Sequence, residues 1–245
     1  MIEFRGAGQA EFTERLDSVI DIYTAAMRPP TDQITGRKAI MRNHGTYPYF
    51  QCYFAELRGG PETPDSPSAF AEVPAPGGVP TLSERRRWFT ASMPDASSSS
   101  VPAAEPNTAW NAAGTRHPGG ASSPKIVGFA YGFRGAPGQW WHDVVFRALE
   151  SRAGREAAEA WLGNAFELAE IHMHPDYQGK GIGRAMITTL CAGRPERSAV
   201  LSTHDRPTMA RHLYASMGFT DLLSPFLFPG GYEQYAILGR RLPLT

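Results

Sequence analysis

Residues 166–189 read FELAEIHMHPDYQGKGIGRAMITT and combine a strand pattern, a glycine-rich loop and a helix pattern. The apolar residues up to Met173 predict a buried strand, Pro175 lies in the turn after it, and the apolar spacing beyond Gly183 predicts an amphipathic helix. A glycine-rich loop, residues 178–183, joins the strand to the helix. Such a loop leaves backbone N–H groups unpaired beside the positive end of the helix dipole. The stretch therefore predicts a site for a phosphate group.

Three kinds of phosphate-binding loop can be compared with this one. The nucleotide P-loop needs Ser or Thr after its lysine, but Gly181 follows Lys180. The dinucleotide loop needs Gly-x-Gly-x-x-Gly after a first strand, but Gly179, Gly181 and Gly183 have another spacing and lie late in the chain. Residues 178–183 instead resemble Gln/Arg-x-x-Gly-x-Gly/Ala, the pyrophosphate loop of the GNAT superfamily of acyl-CoA-dependent N-acetyltransferases, at every defined position.

A second stretch resembles the same family. Residues 207–217 predict a helix that starts at Pro207 and is capped by Gly218. Ala210, Tyr214, Gly218 and Phe219 match the family signature Ala-x-x-x-Tyr-x-x-x-Gly-Phe. Because both signatures occur in the family's order, we expect the chain to be a member of it.

The resemblance implies an α/β fold: a single GNAT-like domain with a mixed, mostly antiparallel, splayed sheet flanked by helices. Residues 1–57 are expected to form its N-terminal part, with a short strand at 2–4, helices over 11–27 and 32–43, and an extended segment ending at 57. Residues 125–245 are expected to form the acetyl-CoA-binding core. Its first strand, 125–133, contains Gly128 and Gly132, which indicate close packing.

Two segments are expected to depart from the simplest family members. Residues 58–124 hold about half of the 21 prolines and few apolar residues, so we expect a long disordered insertion with a short basic helix at 82–89. Residues 141–149 and 157–162 predict helix, and we expect them to form a flap over the acceptor side of the cleft. Trp140 and Trp141 are then candidates for the substrate wall, or else they anchor the start of the helix to the core.

Composition limits the partners. The net charge is zero and the pI is about 7.1, so no overall field would attract nucleic acid or an anionic membrane. The chain has no signal-peptide pattern and no apolar run near the length of a membrane span, which predicts a cytoplasmic protein. Cys52 and Cys191 are too few for a disulfide framework and are expected to be buried. The oligomeric state stays open, a homodimer included.

The resemblance also implies that acetyl-CoA is the co-substrate. Its pyrophosphate would lie on the loop, and its pantetheine arm would pair with the free backbone groups of Ile171 and Met173. A backbone N–H near Met173 would face the oxyanion of the tetrahedral intermediate. The loop residues expected at the pyrophosphate are Gln178, Gly179, Lys180, Gly181, Ile182, Gly183 and Arg184.

Acyl transfer needs an acid for the thiolate and a base for the amine. Tyr214 is the candidate acid, because its ordinary pKa of about 10 keeps it protonated at neutral pH. Glu167 and Glu170 are three apart and are expected on opposite sides of the sheet, Glu167 with Ile171 and Met173. The base is left open between Glu167, Glu170 and water, and Glu170 could instead be buried opposite a basic partner.

The sequence thus predicts an N-acetyltransferase that moves an acetyl group from acetyl-CoA to a primary amine of a small molecule or peptide, by direct attack in a ternary complex. His172 and His174 lack a third ligand at a suitable spacing, so no metal is expected. An alternative is a catalytically inactive CoA-binding regulatory module. A third is an interaction protein that works through residues 58–124.

Overall fold

The computed structural model describes residues 1–58 and 124–244. Its strands are β1 (Ile2–Ala7), β2 (Gln51–Leu57), β3 (Lys125–Arg134), β4 (Ala165–Met173), β5 (Ser198–His204), β6 (Thr220–Leu227) and β7 (Gln234–Arg241). They form one sheet in the order β1-β2-β3-β4-β5-β7-β6. Only β4 and β5 are parallel; the other neighbours are antiparallel. The predicted α/β fold with a mixed, mostly antiparallel sheet is confirmed.

Residues 1–57 and 125–244 belong to the same sheet. β2 pairs with β3 from Gln51 opposite Gly132 to Leu57 opposite Lys125, so the sheet continues across the sequence interval between them. The predicted insertion and its helical patch at 82–89 lie outside the described residues.

Helices cover both faces of the sheet. They are α1 (Gln9–Glu14), α2 (Leu16–Met27), α3 (Thr31–His44), α4 (Trp140–Ala153), α5 (Arg155–Leu162), α6 (Ile182–Cys191) and α7 (Met209–Ser216). The face covered by α6 and α7 is called the front face; on it, Met186 and Leu190 pack with Leu201. The other, the back face, is covered by α1 to α3 at one end and by α4 and α5 at the other.

The N-terminal helix is interrupted, contrary to the prediction of one helix over 11–27. It breaks at Arg15, whose φ of −91° and ψ of 9° are not helical. Arg15 extends to the carboxylate of Glu56 at 3.1 Å and to the carbonyl of Pro124 at 2.9 Å. Helical periodicity could not reveal the break because Phe12 and Leu16, on either side of it, are buried in the same core cluster.

The helices α4 and α5 were expected as a flap, and this prediction is wrong. Val145 and Leu149 of α4, with Ala158 and Leu162 of α5, are buried against Val200 of β5 and neighbouring strands. Burying four apolar side chains holds the pair in place as a layer of the core. Only the start of α4 borders the region where the predicted site lies.

The remaining elements follow the sequence closely. β5 ends at His204 instead of at 202, and α7 starts at Met209 instead of at 207 because the Thr208 hydroxyl caps it, accepting from the Arg211 N–H at 3.1 Å. Cys52 and Cys191 are buried, as expected. In residues 1–58 and 124–244, no helix combines the length and the apolar character that crossing a bilayer requires.

Candidate active site

The sheet opens into a gap between β4 and β5, called the fork below. The two strands pair only from Ala165 opposite Ser198 to Glu167 opposite Val200. Beyond Val200, β5 stays paired with β7 as far as His204, while β4 stays paired with β3 as far as Met173. The predicted splay is therefore confirmed, and Glu167 lies where the gap begins.

Backbone groups of β4 face the fork. The His174 N–H donates to the carbonyl of Val127 on β3 at 2.8 Å. Hydrogen bonding alternates along an antiparallel pair, so the N–H and C=O groups of Met173 and Ile171 point away from β3 and into the gap. The Met173 carbonyl accepts a 3.0 Å hydrogen bond from Gln178 Nε2. The other three groups are available to a ligand that lies along the strand.

The glycine loop continues this row of free groups. Gly179 and Gly181 have φ of 72° and 77°, a left-handed conformation that favours glycine. The first backbone bond of α6 runs from the Ala185 N–H to the Gly181 carbonyl at 3.2 Å. The amides of residues 182–184 are therefore left free at the start of the helix. The helix begins at Ile182 and includes Gly183, so it starts two residues earlier than expected.

The two basic residues of the loop already have contacts. Lys180 Nζ donates to the Asp176 carbonyl at 2.8 Å and lies 5.1 Å from the centre of the Tyr177 ring. Arg184 Nη2 donates to the hydroxyl of Ser216 on α7 at 2.6 Å. These contacts hold the loop and the adjacent helices together. To bind phosphate, Lys180 would have to release the Asp176 carbonyl, and Arg184 would have to release the Ser216 hydroxyl.

Glu167 and Glu170 lie on the same face of the sheet, contrary to the prediction from their spacing. Glu167 is paired with Phe133, and Glu170 with Tyr131, and these two residues of β3 share the back face. The register shifts between the two pairs, because β4 contains one extra residue, a β-bulge, at Ala169. Ile171 and Met173 face the front instead. A count of two residues per repeat fails at a bulge, which the sequence alone did not reveal.

Glu170 is held by cationic and polar neighbours. Its carboxylate lies 3.1 Å from Arg37 Nη1 of α3 and accepts a 2.5 Å hydrogen bond from His172 Nε2. Burial raises the pKa of Glu170, but the Arg37 charge and the His172 hydrogen bond outweigh burial and bring it to about 2. The carboxylate is therefore charged, and the alternative that Glu170 is buried opposite a basic partner is confirmed.

Glu167 has the opposite environment. It is 5% exposed, and its Oε2 atom has no hydrogen-bond partner within residues 1–58 and 124–244. Burial, and then the neighbouring charge of Glu170, raise the pKa of Glu167 to about 8. When the environment separates the pKa values of two nearby carboxyl groups, one can act in proton transfer while the other stays charged.

Tyr214 lies on the front face and is 6% exposed. Its ring packs against Phe219 with a centroid distance of 5.7 Å. Burial, and then the charge of Glu170, raise the pKa of Tyr214, so its hydroxyl stays protonated. The hydroxyl has no hydrogen-bond partner among the described residues, and it is thus able to donate to a ligand.

Trp140 and Trp141 lie at the start of α4, and Trp141 contacts the half of the fork formed by β5. The indole N–H of Trp141 donates to the Ser202 hydroxyl at 3.3 Å. Trp140 is 45% exposed and stacks on Phe228 with a centroid distance of 5.5 Å. Trp141 packs on the core beneath α4, while Trp140 offers an open ring surface.

The sequence did not single out a polar group around Glu170. Arg37 lies over the Tyr23 ring at 5.0 Å, and His44 Nδ1 is 3.0 Å from the Tyr131 hydroxyl. These residues come from α2, α3 and β3 and are distant in sequence, so no local motif could mark them. Burial lowers the pKa of His44 to about 4, which keeps this imidazole neutral.

Two other features complete the region. An open pocket of about 280 Å³ lies at the carboxyl end of β5 and is lined by His204, Asp205, Arg206, Glu233 and Gln234. His172 Nε2 is hydrogen-bonded to the Glu170 carboxylate, and His174 Nδ1 accepts a hydrogen bond from the backbone N–H of Asp176. In the described part of the chain, no three metal-ligating side chains come together.

Sequence comparison agrees with this geometry. Residues 125–221 match the family described as Acetyltransferase (GNAT) domain. A stretch of 128 residues is 42% identical to the GCN5-like protein acetyltransferase Rv2170 of Mycobacterium tuberculosis, and this match covers 50% of the chain and 62% of the relative. The chain thus spans less than two thirds of the curated relative that it matches.

Solved structures show the same fold. One is a protein of Desulfovibrio desulfuricans assigned to the GNAT family, with a TM-score of 0.51, 11% identity, and coverage of 98% of this chain and 99% of that one. Another is Arabidopsis thaliana NAA60 in complex with acetyl-CoA, with a TM-score of 0.51, 13% identity, and coverage of 99% of both chains. The fold is that of the GNAT acetyltransferases. The sequence matches point the same way: the GNAT acetyltransferases are the family that this chain resembles in both sequence and fold.

Proposed function

We propose that the protein is an N-acetyltransferase that transfers the acetyl group of acetyl-CoA directly to a primary amine. The observation that carries the proposal is the continuous row of free backbone groups, from Ile171 and Met173 in the fork to the amides at the start of α6. The row matches an extended ligand with an anionic end, because a strand edge pairs with an amide-containing arm and helix amides bind phosphate.

The residues that would hold acetyl-CoA follow from this row. The pantetheine arm pairs with Ile171 and Met173, as an added strand would. The pyrophosphate lies on the loop, where Gly179 and Gly181 allow the backbone to come close and the free amides donate to the phosphate oxygens. Gln178 joins the two parts through its bond to Met173. Lys180 and Arg184 add positive charge at the same end.

Acetyl-CoA supplies a thioester whose carbonyl carbon is attacked by the amine. The Met173 N–H stabilises the negative charge that develops on the carbonyl oxygen. Glu167, at the start of the gap, takes the proton that the attacking nitrogen loses as its bond to carbon forms. Tyr214 donates its proton to the sulfur as the carbon–sulfur bond breaks. The two residues lie on opposite faces of the sheet, so base and acid approach the reacting carbon from opposite sides.

The acceptor is proposed to be a peptide amine. The Mycobacterium tuberculosis relative is named as a protein acetyltransferase, and Trp140, next to Trp141 in the chain, offers an exposed ring surface on which an apolar side chain of a peptide could pack. Trp141, fixed by Ser202, would form the inner part of that wall.

Binding and turnover test the proposal separately. Calorimetric titration of the purified chain with acetyl-CoA should show one site, and thiol release should follow when lysine peptides or peptides with a free N-terminus are added. Polyamines and aminoglycosides serve as small-molecule amines in the same assay. Absence of acetyl-CoA binding would overturn the proposal. Binding without turnover on any amine would favour the inactive CoA-binding module instead.

A further inference from the structure

We propose that the ion pair of Glu170 with Arg37 is a positioning device that sets the proton affinity of Glu167, so that Glu170 is not itself the base. This inference rests on the proposed acetyl transfer and deepens it. It assigns to Arg37, a residue of α3 that no sequence motif marks, a part in the chemistry of the fork.

The bulge of β4 brings Glu167 and Glu170 onto the same face of the sheet. In a regular strand, residues three apart would point to opposite faces. The extra residue at Ala169 turns Glu170 to the back face, where it joins Glu167. Gly132 allows this, because a Cβ there would lie 2.3 Å from the Glu167 carbonyl oxygen and 2.4 Å from the Phe166 ring. The predicted close packing at this glycine is thus found at the bulge itself.

The contacts of the two carboxylates are unequal. Glu170 has an ion pair with Arg37 at 3.1 Å and a hydrogen bond from His172 at 2.5 Å, so it is fixed in place as an anion. Glu167 has a buried oxygen with no partner among the residues that the structure describes. A fixed anion next to a carboxyl group without partners disfavours the charged form of the latter and favours uptake of a proton. Glu167 is therefore the group that gains a proton: its burial is the larger cause, and the fixed charge of Glu170 adds to it.

Other charged and titratable side chains also lie around Glu167 and Glu170. They come from the elements that pack around these two residues. The side chains concerned are Tyr23, Arg37, His44, Tyr131, His172 and Tyr235. Among these, Arg37 is the permanent cation. His44 is buried and stays neutral above pH 4, where its pKa lies. Glu170 is accordingly the neighbouring charge that acts on Glu167 across the working range of pH. Arg37 keeps Glu170 ionised over that range.

The pH dependence of kcat/KM with a peptide acceptor tests the device. The acid limb of the wild type should lie near pH 8, where Glu167 titrates. Glu170→Gln should move that limb to lower pH by about one unit or more, because the repelling charge is gone. The variant should then be faster than the wild type at pH 6.5. Arg37→Met should move the limb the other way, because Glu170 then loses its partner and the two carboxylates share one proton.

Two further variants keep the test decisive. Glu170→Gln leaves Arg37 without its carboxylate and could fail to fold, so the double variant Arg37→Met with Glu170→Gln, which removes both charges, should show the same shift to lower pH. Glu56→Gln is the matched control, because Glu56 is also buried and paired with arginines, Arg5 and Arg15, but lies on β2. This control should leave the profile in place. Loss of all activity in Glu170→Gln at every pH, with acetyl-CoA binding retained, would identify Glu170 as the base and overturn the inference.

A direct titration separates this inference from the proposed function. Infrared spectra recorded against pH follow the carboxyl band of Glu167, which is assigned by its absence in Glu167→Gln. The midpoint should lie near pH 8 in the wild type and about one unit lower or more in Glu170→Gln. The measurement needs no acceptor, so it stands even if every amine fails. An unchanged midpoint in Glu170→Gln would overturn the inference while leaving acetyl transfer untouched.

Discussion

The side-chain amide of Gln178 donates a 3.0 Å hydrogen bond to the carbonyl of Met173, and this bond joins the glycine loop to the strand that lines the fork. It spans the turn formed by residues 174–177 and fixes the loop relative to β4. The two proposed parts of the acetyl-CoA site, one for the arm and one for the pyrophosphate, therefore depend on one side chain for their relative position.

Gln178→Ala should weaken acetyl-CoA binding while leaving the fold intact. Loss of one hydrogen bond costs about 1 kcal/mol, so the Kd should rise by about five- to tenfold. Isothermal titration measures the effect, and Gln9→Ala, at an exposed position on α1, serves as the control. An unchanged Kd would show that the loop keeps its position without this bond.

Gly181→Ala should lower both stability and acetyl-CoA affinity. Gly181 has φ of 77°, and holding alanine there costs about 1–2 kcal/mol. A residue that leaves this conformation also turns the free amides of α6 away from the ligand. Gly36→Ala is the matched control, because Gly36 lies inside α3 and a Cβ added there would meet open space, with no neighbouring side chain of the described residues within 4 Å. That change should stabilise the protein by about 0.5–1 kcal/mol, as measured by chemical denaturation.

Tyr214→Phe should retain acetyl-CoA binding and lose turnover. The change removes only a hydroxyl that has no partner in residues 1–58 and 124–244, so packing against Phe219 should persist. If this hydroxyl protonates the thiolate, kcat should fall by about 100-fold. Thiol release measures kcat, and Tyr53→Phe on β2 controls for loss of a tyrosine hydroxyl. Wild-type turnover in Tyr214→Phe would remove Tyr214 from the role of acid.

The sequence could predict those parts of the site that are contiguous along the chain. The strand, loop and helix of residues 166–189 are found as expected, because a buried apolar run and a left-handed glycine turn are each set by neighbouring residues. The splay of β4 from β5 followed from the family resemblance and is confirmed. The loop amides and the backbone groups of Ile171 and Met173 could therefore be placed from the sequence.

The surroundings of the carboxylates could not be predicted in the same way. The bulge at Ala169 reverses the face of every later residue of β4 relative to a regular count, and nothing in the residues AEIHM marks it. Arg37 reaches Glu170 from a helix that ends more than a hundred residues earlier in the sequence. Helical periodicity also could not show whether α4 and α5 form a flap or a core layer, because both need an apolar stripe.

The free energy of unfolding of Glu167→Gln should exceed that of the wild type by an amount that grows as the pH rises. The pKa of Glu167 is raised to about 8 in the folded state, above the ordinary value of 4.5, so the folded state holds a proton that the unfolded state loses. The stability that this proton contributes is fully present below pH 4.5 and is lost as the pH rises to about 8. Glutamine cannot ionise and avoids the loss, which amounts to a few kcal/mol because each pKa unit corresponds to about 1.4 kcal/mol. Denaturant unfolding at pH 5 and pH 8 should show the gap between variant and wild type widen, with Glu14→Gln, at an exposed position on α1, as the control for charge. Parallel stability curves over this range would mean that Glu167 titrates in the folded protein as it does in the unfolded chain.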